Sequence, residues 1–218
     1  MSQLFHPISN AYARGSIVFG GILAGSLLFV GWANERSPYT TNQNVVREQP
    51  VPFSHNHHVS GLGIDCRYCH LSVEKGGFAG IPPTQVCYGC HAVIWKDSPM
   101  LEPVRSSYQT GKPLQWNRVT DMPDFVYFNH SIHIAKGIGC ESCHGDVSQM
   151  PLVRKAKTLQ MEFCLECHRH PEINVREKED VFKFAKDVTK IDQSRGEQLV
   201  RDRGIVTKQL DNCGICHR

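Results

Sequence analysis

The chain has 218 residues, 40% of them hydrophobic and 21% charged, with a formal charge of +3. That balance, with no basic stripe and no nucleic-acid-binding motif, excludes a nucleic-acid-binding role. Ten cysteines in a chain of this size ask for a covalent or ligand role for the thiols.

The first element is apolar. Gly15 to Ala33 runs nineteen residues without a charge, long enough to cross a bilayer core as a helix. Arg14 precedes it, and Trp32 sits near its far end, where an interfacial aromatic belongs. The pattern predicts an N-terminal membrane anchor over 1–33. A signal peptide cleaved after Ala33 is the alternative, and the length of the apolar run favours a retained anchor. Arg14 is the one cation before the helix and points to a cytoplasmic N-terminus. Gly21 and Gly25 are spaced to let a partner helix approach closely. Residues 34–50, rich in Asn, Gln, Thr and Pro, predict an extended linker.

A repeat begins at residue 51. Phe53-Ser54-His55-Asn56-His57-His58 and Phe128-Asn129-His130-Ser131-Ile132-His133 both read Phe-x-His-x-x-His. Each is followed by two copies of Cys-x-x-Cys-His. The first module, 51–95, holds Cys66, Cys69 and His70, then Cys87, Cys90 and His91. The second, 126–170, holds Cys140, Cys143 and His144, then Cys164, Cys167 and His168. Between them, 96–125 carries Pro99, Pro103, Pro113 and Pro123 with Trp116 and predicts an irregular insertion. The segment 171–218 is charged. Val181, Ala185 and Val188 follow a helical spacing, predicting one or two amphipathic helices before a fifth site, Cys213, Cys216 and His217.

The five Cys-x-x-Cys-His copies use every cysteine. Each is the signature of c-type haem attachment, with two thiols for the porphyrin vinyl groups and the next histidine as proximal iron ligand. Disulfides would leave the five adjacent histidines unexplained. Structural zinc normally completes a Cys pair with ligands from a separate cluster. Five covalently bound c-type haems therefore form the expected cofactor set, and electron transfer the expected work. Their ten propionates, if ionised, shift the formal charge from +3 to about −7. Bacterial haem attachment takes place outside the cytoplasmic membrane, so residues 34–218 belong on the periplasmic side.

Five haems need five more axial ligands. His55, His58, His130 and His133 are the natural set, because residues i and i+3 share one side of a helical turn and one turn can serve two neighbouring irons. The remaining ligand is Met150, Met161, His170 or His57, with Met150 slightly preferred. A thioether raises the haem potential relative to histidine. The expected fold class is a multihaem cytochrome c with class III-like haem modules. It has short helices and loops, little regular secondary structure and one N-terminal transmembrane helix.

Longer stretches carry a resemblance. Ala79-Gly80-Ile81-Pro82-Pro83-Thr84, Pro123-Asp124-Phe125-Val126-Tyr127-Phe128-Asn129-His130 and Leu159-Gln160-Met161-Glu162-Phe163-Cys164 accompany the anchor and a terminal Cys-x-x-Cys-His-Arg. Together they resemble the pentahaem cytochrome c component of bacterial alternative complex III, over nearly the whole chain. The resemblance implies a quinol-oxidising membrane complex. Its partners would be integral-membrane quinol-oxidising subunits, a monohaem cytochrome c subunit, plus an iron–sulfur subunit. The acceptor would be a soluble cytochrome, a copper protein or a terminal oxidase. On this reading the chain conducts electrons and has no catalytic site of its own. The alternatives are a haem subunit of a quinol dehydrogenase feeding a periplasmic reductase, and a multihaem reductase, which would need an open axial position.

Overall fold

The computed structural model describes residues 5–184 and 191–217. The chain divides into two units, one ending at Gln43 and the other beginning at Asn44.

The first unit is essentially one helix, α1, Ile8–Arg36. Its 29 residues span about 43 Å at 1.5 Å per residue, more than the roughly 30 Å of a bilayer core. It buries none of its residues within the chain. The Arg36 guanidinium lies 4.7 Å from the centre of the Trp32 ring, a cation–π contact in the last turn. Ser37 is extended, as a residue before proline must be, and its hydroxyl donates to the Asn34 carbonyl at 2.7 Å. A further helical turn, α2, covers Pro38–Thr41, so the start of the expected linker is helical.

The second unit is built from short helices and loops. Its helices are α3 (Cys66–Cys69), α4 (Thr84–His91), α5 (Glu102–Thr110), α6 (His130–Ala135), α7 (Cys140–His144), α8 (Met161–Arg169), α9 (Gln193–Asp202), α10 (Thr207–Leu210) and α11 (Cys213–Cys216). A π-helical turn covers Asn56–Gly61. The described residues contain no β-strand, only isolated bridges between Val46 and Arg154 and between Ile138 and Val175. Residues 44–50 lie as a strap. The Asn44 amide donates to the Lys155 carbonyl at 2.8 Å, and Gln49 exchanges hydrogen bonds with the Asn117 backbone.

Two expectations change. The insertion 96–125 contains a true helix, α5, because Pro99 and Pro103 stand at helix starts, where a missing N–H costs nothing. Gly111 then ends α5 with φ 69°. In the charged segment, Val181 is not on a long helix. It follows a 3₁₀ turn, Lys178–Asp180, and is buried. Ala185 and Val188 lie outside the described residues.

The protein core is small. One cluster joins Val51, Leu101 and Val104; another joins Ile138, Val175 and Leu199. The accessible surface is 14899 Å², whereas a compact chain of 24.6 kDa exposes about 10,000 Å². The excess lies on the bare helix α1 and on the exposed linings of the second unit.

Candidate haem sites

Each Cys-x-x-Cys-His run forms a short helical turn. Residues i, i+3 and i+4 share one helix face, which puts both thiols on the same side as His91, His144 and His168; His70 and His217 instead stand just past the ends of α3 and α11. Local chemistry starts several of these turns. The Asp65 carboxylate accepts from the Arg67 amide at 2.8 Å ahead of α3, and Asn212 caps α11 through the Gly214 amide at 3.2 Å. Gly145, at φ 68°, ends α7; a Cβ there would lie 2.6 Å from the Ala156 methyl.

The two Phe-x-His-x-x-His segments arrange their rings alike, although the first runs into a π-helical turn and the second into α6. The Phe53 ring lies 4.9 Å from His55, edge-on at 89°, and 4.4 Å from His58, stacked at 23°. The Phe128 ring lies 4.8 Å from His130 at 90°, and 4.5 Å from His133 at 28°. The phenylalanine thus fixes the planes of both imidazoles. In each segment the second histidine turns Nδ1 back onto the carbonyl four residues earlier. His58 reaches Ser54 at 2.8 Å and His133 reaches Asn129 at 2.7 Å.

The histidines then face partners from the Cys-x-x-Cys-His runs. Ring centroids lie 6.2 Å apart for His58 and His91, 6.3 Å for His130 and His144, and 6.2 Å for His133 and His168. Two imidazoles bound through Nε2 to one metal at about 2.0 Å, each ring centre lying about 1.15 Å beyond its nitrogen, have centroids about 6.3 Å apart. All three pairs meet that spacing. His55 interacts electrostatically with His70, the histidine of the first site.

The outer ring nitrogens fit the same use. Nδ1 of His70, His91, His168 and His217 contacts the carbonyls of Gly80 (2.7 Å), Ile94 (3.0 Å), Leu210 (2.8 Å) and Phe125 (3.0 Å). Nδ1 of His130 contacts Gly77 O at 2.8 Å. A carbonyl accepts only from N–H, so each contact fixes the tautomer that leaves Nε2 bare for a metal. His55 Nδ1 is buried without a partner. Burial lowers the His55 pKa to about 4, helped by His70, His58 and His144. Burial also lowers His144 to about 4, followed by His130 and His70. His58 and His133 are lowered too, burial again leading. A neutral imidazole is the ligand form.

The thiols are shifted in both directions, with Cys66 lowered to about 7, chiefly by a hydrogen bond with Cys140. Burial raises Cys143 to about 11 and raises Cys69, Cys87, Cys164 and Cys167. Among the described residues, no three His, Cys, Asp or Glu side chains converge as a metal-ion site, and all ten cysteines are free thiols.

The remaining ligand candidates are scattered. Met150 is buried, and its terminal methyl lies against Gly145, next to His144. Met161 is exposed and opens α8, one turn before Cys164. His57 stacks on Trp95 at 5.5 Å and lies edge-on to His58 at 5.4 Å. His170 faces Glu172 at 3.3 Å from an exposed position. Sequence reasoning gave Trp95 no role. Its φ of 56° is rare for a bulky residue, and its ring is 6.2 Å from His91; only its position four residues after His91 pointed to it.

Residues 126–218 match the family model for cytochrome c7 and related cytochrome c. Across 201 residues, 90% of this chain and 87% of the relative, the sequence is 28% identical to a curated protein of Nitratidesulfovibrio vulgaris. That protein is the multiheme cytochrome c subunit of a menaquinone reductase. The fold is that of a cytochrome c7-like multihaem domain, made of helices and loops and preceded by an apolar helix long enough to span a membrane. Such a domain binds c-type haems covalently through its cysteine pairs.

Proposed function

We propose that this chain is a membrane-anchored pentahaem cytochrome c, the electron-transfer subunit of a respiratory or photosynthetic complex working on the quinone pool. Three imidazole pairs at 6.2–6.3 Å, with Nδ1 of His58, His91, His130, His133 and His168 turned away onto carbonyls, carry this reading. The match from residue 126 onward covers the second module, and the Phe53 geometry repeats it in the first. The layout is an anchor over 1–33, a linker over 34–50 and a haem domain over 51–218. The haem domain lies on the outer side of the bacterial cytoplasmic membrane.

The axial pairs are His55 with His70, His58 with His91, His130 with His144, and His133 with His168. At the fifth site His217 pairs with Met161 in preference to Met150. Met150 sits beside His144, whose pair is already filled. Met161 lies one turn from Cys164, whose thiol interacts with that of Cys216. Haem supplies one-electron chemistry at iron. The paired histidines would hold the iron from both sides, Phe53 and Phe128 set the imidazole planes, and a fully ligated iron would be closed to substrate. In α1, Gly15 to Ala33 carries no ionisable side chain, and a single helix cannot enclose a quinol pocket with a proton acceptor.

Quinol chemistry then belongs to integral-membrane partners, linked to this chain through an iron–sulfur protein, as in the complex that the sequence resembles. A monohaem cytochrome c and a soluble cytochrome, copper protein or terminal oxidase take the electrons onward. A second reading reverses the flow, towards the quinone, and the relative's name, a menaquinone reductase, favours it. The test offers reduced quinol to the isolated chain and to the intact complex. The proposal expects reduction in the complex alone. Equal rates for both would make this chain itself the quinol dehydrogenase. Reduction of the complex only by a periplasmic donor, with quinone as acceptor, would establish the reversed flow.

A further inference from the structure

The five sites are numbered one to five along the sequence, yet their junctions do not follow that order. Sites one and two share the turn that carries His55 and His58, held by one ring, Phe53. Sites three and four share the equivalent turn under Phe128. Between the modules, the cysteines brought together are those of sites one and three. Cys66 Sγ lies 4.0 Å from the Phe182 carbonyl, and the Cys140 amide donates to the adjoining Val181 carbonyl at 3.2 Å. The first cysteines of sites one and three thus rest on one two-residue strap, and their thiols interact directly.

The ligands agree. His70 of site one and His130 of site three both place Nδ1 on the same loop, at Gly80 and Gly77. His55 and His144 also interact. At the far end, His168 of site four reaches Leu210, just ahead of site five, at 2.8 Å. Arg169 lies 3.6 Å from Asp211.

Resting on the ligand pairing proposed above, we infer that the sites form one unbranched row in the order two, one, three, four, five. Sites two and five are then its two ends, and every electron that traverses the chain crosses the junction made by Cys66, Cys140 and the 181–182 strap. The N-terminal site is internal, and site two is a terminus.

The ring planes provide a marker. The imidazoles of His58 and His91 stand at 70°, whereas those of His130 and His144 lie at 6° and those of His133 and His168 at 21°. Near-perpendicular ligand planes give a low-spin ferric signal with a large maximal g value, and near-parallel planes give an ordinary rhombic one. Site two should therefore be distinguishable by electron paramagnetic resonance in the full-length holoprotein.

Two variants keep all five attachment motifs. His55→Met raises the potential of site one, and His130→Met that of site three, so each site can be reduced to its diamagnetic state before site two. The expected result is that the large-g signal sharpens when the raised site of His55→Met is reduced and does not change in His130→Met. Sharpening in His130→Met alone would overturn the order while leaving the ligand pairs standing. A wild-type protein with no large-g signal would overturn the pairing of His58 with His91, and the order with it. Haem content by mass accompanies both variants. If either loses a haem, the same comparison is made in wild type, by following the signal's sharpening during a stepwise redox titration. There the order requires a single neighbour to be responsible, and two independent steps would overturn it.

Discussion

His55 and His144 depart furthest from ordinary imidazoles, both lowered from 6.5 to about 4. Burial is the main cause for each, and the neighbouring histidines add to it. An unfolded chain takes up protons at these positions as pH falls through 6.5, while the folded chain does so only near 4. The folded state therefore loses stability as pH drops across that window, and what these residues contribute is fully present above it. Iron bound at Nε2 acts in the same direction. The denaturant midpoint of the holoprotein, followed by its low-spin Soret band, should be level above pH 7 and fall steadily between pH 6.5 and 4. A midpoint unchanged across that interval would mean that these two side chains are not buried as neutral ligands. At this scale the sequence pattern and the ring geometry can be set side by side: His58, His130 and His133 lie 6.2–6.3 Å from histidines of the Cys-x-x-Cys-His runs. The Phe-x-His-x-x-His spacing pointed to His55, His58, His130 and His133, because one helical turn presents i and i+3 together. The spacing does not choose between Met150 and Met161, since what separates them is contacts with Gly145 and Cys216, distant in sequence from one of the two or both.

Among the elements, α9 illustrates how little core holds the C-terminal part. Leu199 on α9 packs with Val175 and Ile138. Gly196 on the same helix approaches the Glu172 carbonyl so closely that a Cβ would lie 2.3 Å from it. Leu199→Ala should cost about 2–5 kcal/mol, and Gly196→Ala about 1–3 kcal/mol through forced displacement. Denaturant unfolding of the holoprotein measures both, and losses under about 0.5 kcal/mol, the neutral range of surface sites, would contradict this packing. The anchor gives a second element-level prediction. A cation at the middle of a spanning helix costs about 2.5–3.5 kcal/mol, so Leu23→Lys with Leu27→Lys should abolish stable membrane association. Quantitative recovery of that variant in the membrane fraction would show that α1 does not span. Element boundaries were less legible than motifs. The prolines of 96–125 suggested an irregular path, but Pro103 begins α5. Val181 is buried but follows a 3₁₀ turn and serves the strap at Cys140, because with so small a protein core the helical spacing of apolar residues carries little information.

For the whole molecule, residues far apart in sequence make the junctions, and so no reading along the chain yields their order. Each module's histidine turn is also held by the other module. The His130 amide donates to Gly77 and the Ser131 amide to Gly76, while the Asn56 amide donates to Met150. The two modules are interlocked and should fold as one cooperative unit. Ligand pairing, row order and conduction all depend on five haems being covalently held and fully ligated in this one chain. The intact mass of the denatured, purified protein tests that dependence. The expected mass is the polypeptide plus five haems, retained through thioether bonds under denaturing conditions. A mass showing three haems or fewer, or bare thiols at any of the five Cys-x-x-Cys-His sites in fully matured protein, would contradict it.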